Sequence, residues 1–147
     1  MKHSEFLSRL DDEKIVSAIA AAERKSSGEI RVFISRKMPA NGPETLALAQ
    51  ETFARLGMRQ TRHRNGVLLF FAPSTQQFAI VGDAGVHEKC GNSFWQEVAE
   101  TLSTLLKQGH FTAAVLAGID KAGKGLAEHF PRDRDDRNEL PNRVETD

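Results

Sequence analysis

The chain has 147 residues, a length that fits one domain with a sizeable core. Its 20 basic side chains balance 20 acidic ones, which excludes the global positive field of a general nucleic-acid or anionic-lipid binder. The lone Cys90 excludes an internal disulfide framework and favours a reducing compartment. We therefore expect a cytoplasmic monomer that binds no nucleic acid. The N-terminus lacks the apolar region of a signal peptide, and the longest apolar run, 67–73, is too short to cross a bilayer, so we expect no transmembrane segment.

The first part of the chain predicts a helix, a strand and a second helix. Acidic residues at 11–13 begin a helical pattern of apolar residues that stops at Ser26–Gly28. Residues 29–37 alternate with a period of two and carry β-branched side chains on one face, which predicts a strand. A second helix is predicted to begin at Gly42–Pro43, because proline suits the first turn of a helix, and to end before Gly57. Its inward face is predicted to consist of Leu46, Ala49, Phe53 and Leu56.

The middle of the chain predicts two adjacent strands. Residues 67–72 are apolar on both faces, as in an interior strand covered by helices on two sides. Pro73–Gln76 has the length of a hairpin turn, so residues 77–82 should return antiparallel. Because the first two strands enclose a helix and should be parallel, the sheet is predicted to be mixed.

The last part predicts two long helices and a charged tail. Ser93 and Gln96 fit a capping box at the start of a helix that ends near Gly109. Apolar residues then keep helical spacing over 111–130, and glycines within this pattern indicate close backbone packing. We place one domain at 1–131 and a charged tail at 132–147. The tail is either disordered or held down by its apolar side chains, Leu140 and Val144.

Polar residues at three strand ends form the first candidate site. With two parallel strands and a third antiparallel one, Glu29, Asn65 and Asp83 fall at the same edge of the sheet. The carboxylates of Glu29 and Asp83, with the amide of Asn65, could bind a hard cation such as Ca²⁺ or Mg²⁺. Alternatively, the two carboxylates only pair with nearby arginines and cap strand or helix ends.

The segment Gly82–Gly85 is the second candidate. Two glycines around Asp83 would permit positive φ angles and a concave row of backbone N–H groups for an anion, although a tight strand exit uses the same residues. His87, Glu88 and Cys90 could support acid–base or nucleophilic chemistry if they converged, but on a short helical turn they would point apart. Cys90 then serves as a packed residue. The candidate ligand-binding residues are Glu29, Asn65, Gly82, Asp83, Gly85 and His87.

Several of these segments, in this order, resemble the TPM domain family over roughly residues 10–130. The matching segments are Gly28–Val32, Asn65–Leu69, Ile80–Val86, Lys107–Phe111 and Gly118–Ile119. The resemblance implies an α/β fold, a three-layer α/β/α sandwich with a mixed sheet of about four strands and helices on both faces. Since the sequence patterns predict only three strands, we expect a further strand at an edge of the sheet. The family includes thylakoid-lumen proteins linked to photosystem II repair, with attributed phosphatase activity and calcium binding, and membrane-tethered receptor modulators.

One departure from the family pattern bears on chemistry. Many members carry an acid before the Asn-Gly of the second strand, where this chain has Arg64, and a guanidinium there opposes cation binding. No convergent nucleophile and base are evident, so the first hypothesis is a non-catalytic interaction or assembly module with an unknown protein partner. The alternatives are a phosphatase-like hydrolase using Asp83, Glu88 and Arg64, and a calcium- or magnesium-binding protein using Glu29 and Asp83; no cofactor is certain.

Overall fold

The computed structural model describes residues 1–132 and 142–147. Along these residues the elements follow one another as α1 (His3–Ser8), α2 (Asp12–Glu23), β1 (Glu29–Ile34), α3 (Gly42–Arg55), β2 (Gly66–Ala72), β3 (Gln77–Gly82), α4 (Ala84–Cys90), α5 (Asn92–Lys107), α6 (Phe111–His129) and β4 (Val144–Thr146).

The four strands form one mixed sheet in the order β3-β2-β1-β4. β1 and β2 are parallel, with Glu29 opposite Gly66, and α3 provides the crossover between them. β3 runs antiparallel to β2, with Gly82 opposite Val67. The predicted mixed sheet, its parallel pair and its hairpin are therefore confirmed. β1 and β2 lie inside the sheet and are buried along their whole length, as an apolar interior strand requires.

The fourth strand lies in the segment predicted to be a charged tail. β4 pairs parallel to β1, with Val32 opposite Val144, so the sheet extends beyond the predicted boundary at residue 131. Polar contacts hold it: Glu145 pairs with the buried Arg31, and Asp147 accepts hydrogen bonds from Ser35 Oγ at 2.7 Å and Arg36 N at 2.8 Å. A pattern search for alternating apolar residues misses such a strand. Leu140, the other proposed anchor, lies outside the described residues.

The sheet carries helices on both faces, which confirms the sandwich. One face packs mainly against α3 through a small cluster that includes Phe33, Phe53 and Phe70. The other face meets α1, α2, α4, α5 and α6 through a larger cluster that includes Ile19 and Leu102. The aromatic rings of Phe33 and Phe70 stack on the α3 side with their centroids 5.7 Å apart.

Two details of the predicted helices are wrong. Leu46 was expected to face inward on α3 but is 42% exposed, whereas Thr45 and Thr52 are buried. Threonine tolerates this position because each hydroxyl donates to a carbonyl of the preceding turn, that of Asn41 or Leu48, at 2.8 Å. The capping box predicted at Ser93 does not form. α5 begins at Asn92 after Gly91, without a side-chain cap.

The glycines of α6 allow close packing, as predicted. A Cβ atom on Gly123 would lie 2.9 Å from Ala22 Cβ of α2, and one on Gly125 would lie 2.5 Å from the ring of Phe94 of α5. The short helix α1 was not predicted. Its Phe6 is buried in the larger cluster, where its ring centroid lies 5.0 Å from that of Phe111.

Candidate functional site

The structure places the three predicted polar residues at one end of the sheet. Glu29 begins β1, Asn65 precedes β2 and Asp83 follows β3. Backbone hydrogen bonds tie them together, since Glu29 N donates to Asn65 O at 3.4 Å and Asp83 N donates to Gly66 O at 2.9 Å. All three side chains are buried. Their common position at this end of the sheet does not give the three residues a common function, because their side chains contact different groups.

Asp83 is occupied by Arg64. Arg64 Nε donates to Asp83 Oδ2 at 2.9 Å, and its terminal nitrogen donates to Oδ1 at 3.0 Å. This two-point hydrogen bonding to Asp83 raises the pKa of Arg64 above its ordinary value. Oδ1 also accepts from Ala84 N at 2.7 Å and so caps α4. Asp83 is 6% exposed, whereas the Arg64 side chain is 52% exposed. Both oxygens that a metal or a proton-transfer step would need are therefore engaged.

The backbone supports this ion pair. Arg64 adopts a φ of 52°, in the left-handed region that is uncommon for residues other than glycine, asparagine and aspartate. In that conformation its carbonyl accepts from Gly85 N at 3.0 Å. Holding a residue in this region costs about 1 kcal/mol, which the surrounding contacts must offset.

The two glycines beside Asp83 are there for packing. Neither Gly82 nor Gly85 has a positive φ, so the alternative of a left-handed anion cradle is not what the structure shows. A Cβ atom on Gly82 would lie 2.5 Å from the ring of Trp95, and one on Gly85 would lie 2.6 Å from His63 O. At both positions the space that a side chain would need is therefore occupied by other protein atoms.

Glu29 belongs to a buried pair of carboxyl groups that sequence reasoning missed. Its side chain is hydrogen-bonded to that of Glu23, at the end of α2. Burial raises the pKa of Glu23 to about 9, and the hydrogen bond and repulsion from Glu29 act in the same direction. Two carboxyl groups can hydrogen-bond only if one keeps its proton. Glu23 Oε2 accepts from Ile30 N at 2.8 Å, and Arg132 donates to the Glu23 backbone carbonyl.

A signal for Glu23 was present in the sequence. Ile15, Ile19 and Glu23 are four residues apart and share one helix face, so a carboxyl group stands where the buried stripe continues. An acid in the last turn also opposes the helix dipole. Such a residue indicates a specific buried partner.

Asn65 adds one oxygen that lacks a hydrogen bond. Its Nδ2 donates to Ser27 Oγ at 3.1 Å, and its backbone N–H donates to Thr61 Oγ1. Its Oδ1 is buried and has no hydrogen-bond partner in the described part of the chain. A buried unsatisfied amide oxygen calls for an explanation.

The residues of α4 do not form a catalytic set. Glu88 and His87 are exposed, and the His87 ring lies against Trp95 with centroids 5.8 Å apart. Cys90 is half-buried, and burial, with the nearby charge of Glu128, raises the pKa of its thiol. A raised pKa disfavours the thiolate, so Cys90 is not an activated nucleophile.

Within residues 1–132 and 142–147, no three His, Cys, Asp or Glu side chains are grouped so that they could hold a metal ion. Over the same residues, no helix is long and apolar enough to span a membrane.

Comparisons with known proteins identify the family of the chain and solved structures of similar fold. A family model described as the TPM domain matches residues 1–125. The NMR structure of BA42 protein from the psychrophilic bacterium Bizionia argentinensis superposes with a TM-score of 0.85 at 34% sequence identity. The match covers 95% of this chain and 96% of that one. No curated protein matches the chain.

Proposed function

We propose that this chain, which belongs to the TPM domain family, is a non-catalytic interaction module that binds a protein partner. The closed corner supports a non-catalytic role. The two oxygens of Asp83 are engaged by Arg64 and Ala84, and Glu88 and His87 are exposed on α4. A hydrolase needs several groups aligned on one reacting atom, whereas the Asp83 carboxylate is already hydrogen-bonded by Arg64 and Ala84 N.

The edge strand β3 is the observation that carries the interaction role. β3 pairs with β2 on one side and, among the described residues, with no strand on the other. Its six residues, Gln77–Gly82, include no charged residue and no proline, and all are partly exposed. Proteins ordinarily protect a long edge strand with charges, prolines, bulges or a covering element. β3 has neither charge nor proline, and such an edge is suited to accept a strand from a partner.

The register identifies the backbone groups that a partner would meet. Asp83 N donates to Gly66 O, and antiparallel residues alternate between facing the neighbouring strand and facing away from it. Phe78, Ile80 and Gly82 therefore direct their N–H and C=O groups away from β2. An extended peptide added there would gain its affinity from main-chain hydrogen bonds.

A charge placed on the edge tests this proposal. We expect Val81→Lys to retain the fold, because Val81 is partly exposed, and to abolish capture of protein partners from a lysate of the native organism. Val16→Lys, on the exposed side of α2, is the matched control and should capture the same proteins as the wild type. Size-exclusion chromatography of both variants shows whether the partner is a second copy of the chain.

Two outcomes would reject the proposal of a non-catalytic interaction module. Partners that bind the Val81→Lys variant as well as the wild type would show that β3 is not the docking edge. A fluorogenic phosphate ester that the wild type hydrolyses, with turnover lost in Asp83→Asn, would favour the phosphatase-like hydrolase instead.

The Asn65 oxygen favours cation binding as a second candidate function. Asn65 Oδ1 is buried without a hydrogen bond among the described residues, the backbone carbonyl of Asn65 accepts from Glu29 N, and the Glu29 carboxyl group is hydrogen-bonded to Glu23. Hard cations prefer carboxylate and amide oxygens of this kind as ligands. Binding of Ca²⁺ or Mg²⁺ would have to displace the shared proton. Thermal denaturation in calcium and in chelator at pH 6 and pH 8 tests this. A calcium-dependent rise in Tm that is larger at pH 8 and absent in Asn65→Ala supports cation binding. Equal Tm values of the wild type in calcium and in chelator reject it.

A further inference from the structure

The end of the sheet opposite Asp83 contains a cavity of about 320 Å³. It lies where β2 ends and β3 begins, and α1, the end of α5 and the start of α6 complete its wall. The apolar lining includes Phe6, Phe71, Phe78, Leu106 and Phe111. Small-molecule sites in proteins have volumes of about 300 Å³ and upward, with mostly apolar walls and a few polar groups.

Aromatic rings form a continuous wall of this cavity. The ring of Phe6 lies 5.0 Å from that of Phe111 and 6.0 Å from that of Phe71, and Phe71 lies 6.4 Å from Phe78. Phe6 and Phe71 are almost fully buried, so their positions are fixed by the core, whereas Phe78 and Phe111 are half-buried. Such walls favour a ligand with a compact apolar body.

Gln77 at the cavity accepts from Thr45 Oγ1, but three other polar side chains of the lining have no such role among the described residues. Lys107 and Gln76 are exposed there, and within the described residues neither side chain has a hydrogen-bond or ion-pair partner. Ser103 shows the same feature on α5. The hydroxyls of Thr101 and Thr104 donate to carbonyls four residues earlier, at 3.1 and 3.0 Å, but no such bond involves Ser103.

We propose that this cavity binds a small apolar carboxylate, whose hydrocarbon or aromatic body lies among the phenylalanines while its carboxylate meets Lys107. The uncompensated ammonium selects the anion, and Ser103 can donate to the second carboxylate oxygen. The volume corresponds to about ten water molecules, which suits a ligand of about 10 to 15 non-hydrogen atoms. The ligand of this cavity differs in class from the partner proposed for the β3 edge, although Phe78 belongs to both surfaces, to the cavity through its side chain and to the edge through its backbone.

The probe is 4-phenylbutyrate, compared with 4-phenylbutan-1-ol, which has the same apolar body without the charge. Titrations followed by ¹H–¹⁵N NMR should shift the amides of Phe6, Phe78, Leu106 and Phe111 with both compounds, at lower concentration for the acid. We expect Lys107→Gln to weaken the acid about fivefold and to leave the alcohol unchanged. Lys124→Gln, whose lysine pairs with Asp120 outside the cavity, is the matched control and should bind both compounds as the wild type does.

A second variant tests the cavity itself. Ser103→Leu places a larger side chain in the lining and should weaken both compounds at least tenfold, while its NMR spectrum remains that of a folded protein. The proposal is overturned if neither compound shifts the cavity amides at millimolar concentration, or if acid and alcohol bind the wild type equally. It is also overturned if Lys107→Gln binds the acid as the wild type does, or if Ser103→Leu leaves binding intact.

Discussion

The two ends of the β2–β3 hairpin differ in how completely protein atoms fill them. At the closed end, formed by Arg64, Gly82, Asp83, Gly85 and Trp95, a Cβ atom added to either glycine would meet a neighbour, and Arg64 pairs with Asp83. At the open end, the core stops short and leaves a cavity of about 320 Å³ beside Lys107, whose ammonium group pairs with no acid of the described residues. The sequence predicts a ligand site at the glycine-rich closed end, yet this end is the more tightly packed of the two.

The largest expected effect comes from adding one methyl group at the closed end. We expect Gly85→Ala to lower the free energy of unfolding by about 3 kcal/mol, because its Cβ would meet backbone oxygens of His63 and Arg64 at 2.6 and 2.7 Å. Urea denaturation measures this. Gly42→Ala is the control, since nothing lies within 4 Å of its Cβ, and it should change stability little. If the two variants are equally stable, the closed end is not tightly packed.

The buried carboxyl pair gives the closed end a pH dependence. The folded pKa of Glu23, about 9, exceeds its ordinary value of 4.5, so the unfolded chain releases a proton that the folded chain keeps. Stability from this group is complete below pH 4.5 and falls as the pH rises toward 9, by up to about 1.4 kcal/mol per pH unit.

Glu23→Gln should remove this slope. Its amide can donate to Glu29 without a proton and still accept from Ile30 N. Denaturant unfolding between pH 5 and pH 9 measures the slope, and Glu51→Gln, at an exposed position of α3, should retain the wild-type slope. A parallel pH profile for wild type and Glu23→Gln would contradict the shared proton.

Loss of the Asp83 cap should have a smaller effect. Asp83→Ala removes the acceptor of the Ala84 N–H and the partner of Arg64, and loss of a helix cap costs about 1 kcal/mol. Thermal unfolding gives the change in stability, and Asp120→Ala, which removes an exposed ion pair with Lys124, is the comparison. An effect no larger than that of Asp120→Ala would mean that the Arg64 pair does not help to hold the corner closed.

The smallest effect, with the opposite sign, is expected at the open end. Ser103→Leu replaces one hydroxyl oxygen of the cavity lining with three carbon atoms, which can bury apolar surface, and should raise the free energy of unfolding by about 0.5 to 1 kcal/mol. Urea denaturation of Ser103→Leu and Gly85→Ala under the same conditions compares the packing of the two ends. A loss of stability on Ser103→Leu would show that the open end is as tightly packed as the closed one.

Much of the fold could be predicted from local patterns. The apolar run over β2, the short turn after it and the alternation in β1 are properties of neighbouring residues, and the structure confirms the mixed sheet that they predict. β4 could not be found in this way. Its pairing depends on Arg31 meeting Glu145 and on His3 reaching Thr146 Oγ1 at 2.8 Å, contacts between residues more than 100 positions apart.

The sequence by itself determined β1, β2 and β3, the main helices and the end of the sheet at which Glu29, Asn65 and Asp83 lie, because backbone periodicity and hairpin geometry are local. Only the tertiary structure decided what those side chains do. It paired Asp83 with Arg64 and Glu29 with Glu23, and it left the space beside Lys107 unfilled. The partner of each side chain and the volume of the cavity depend on the distances between separate helices and strands. No short stretch of residues encodes those distances.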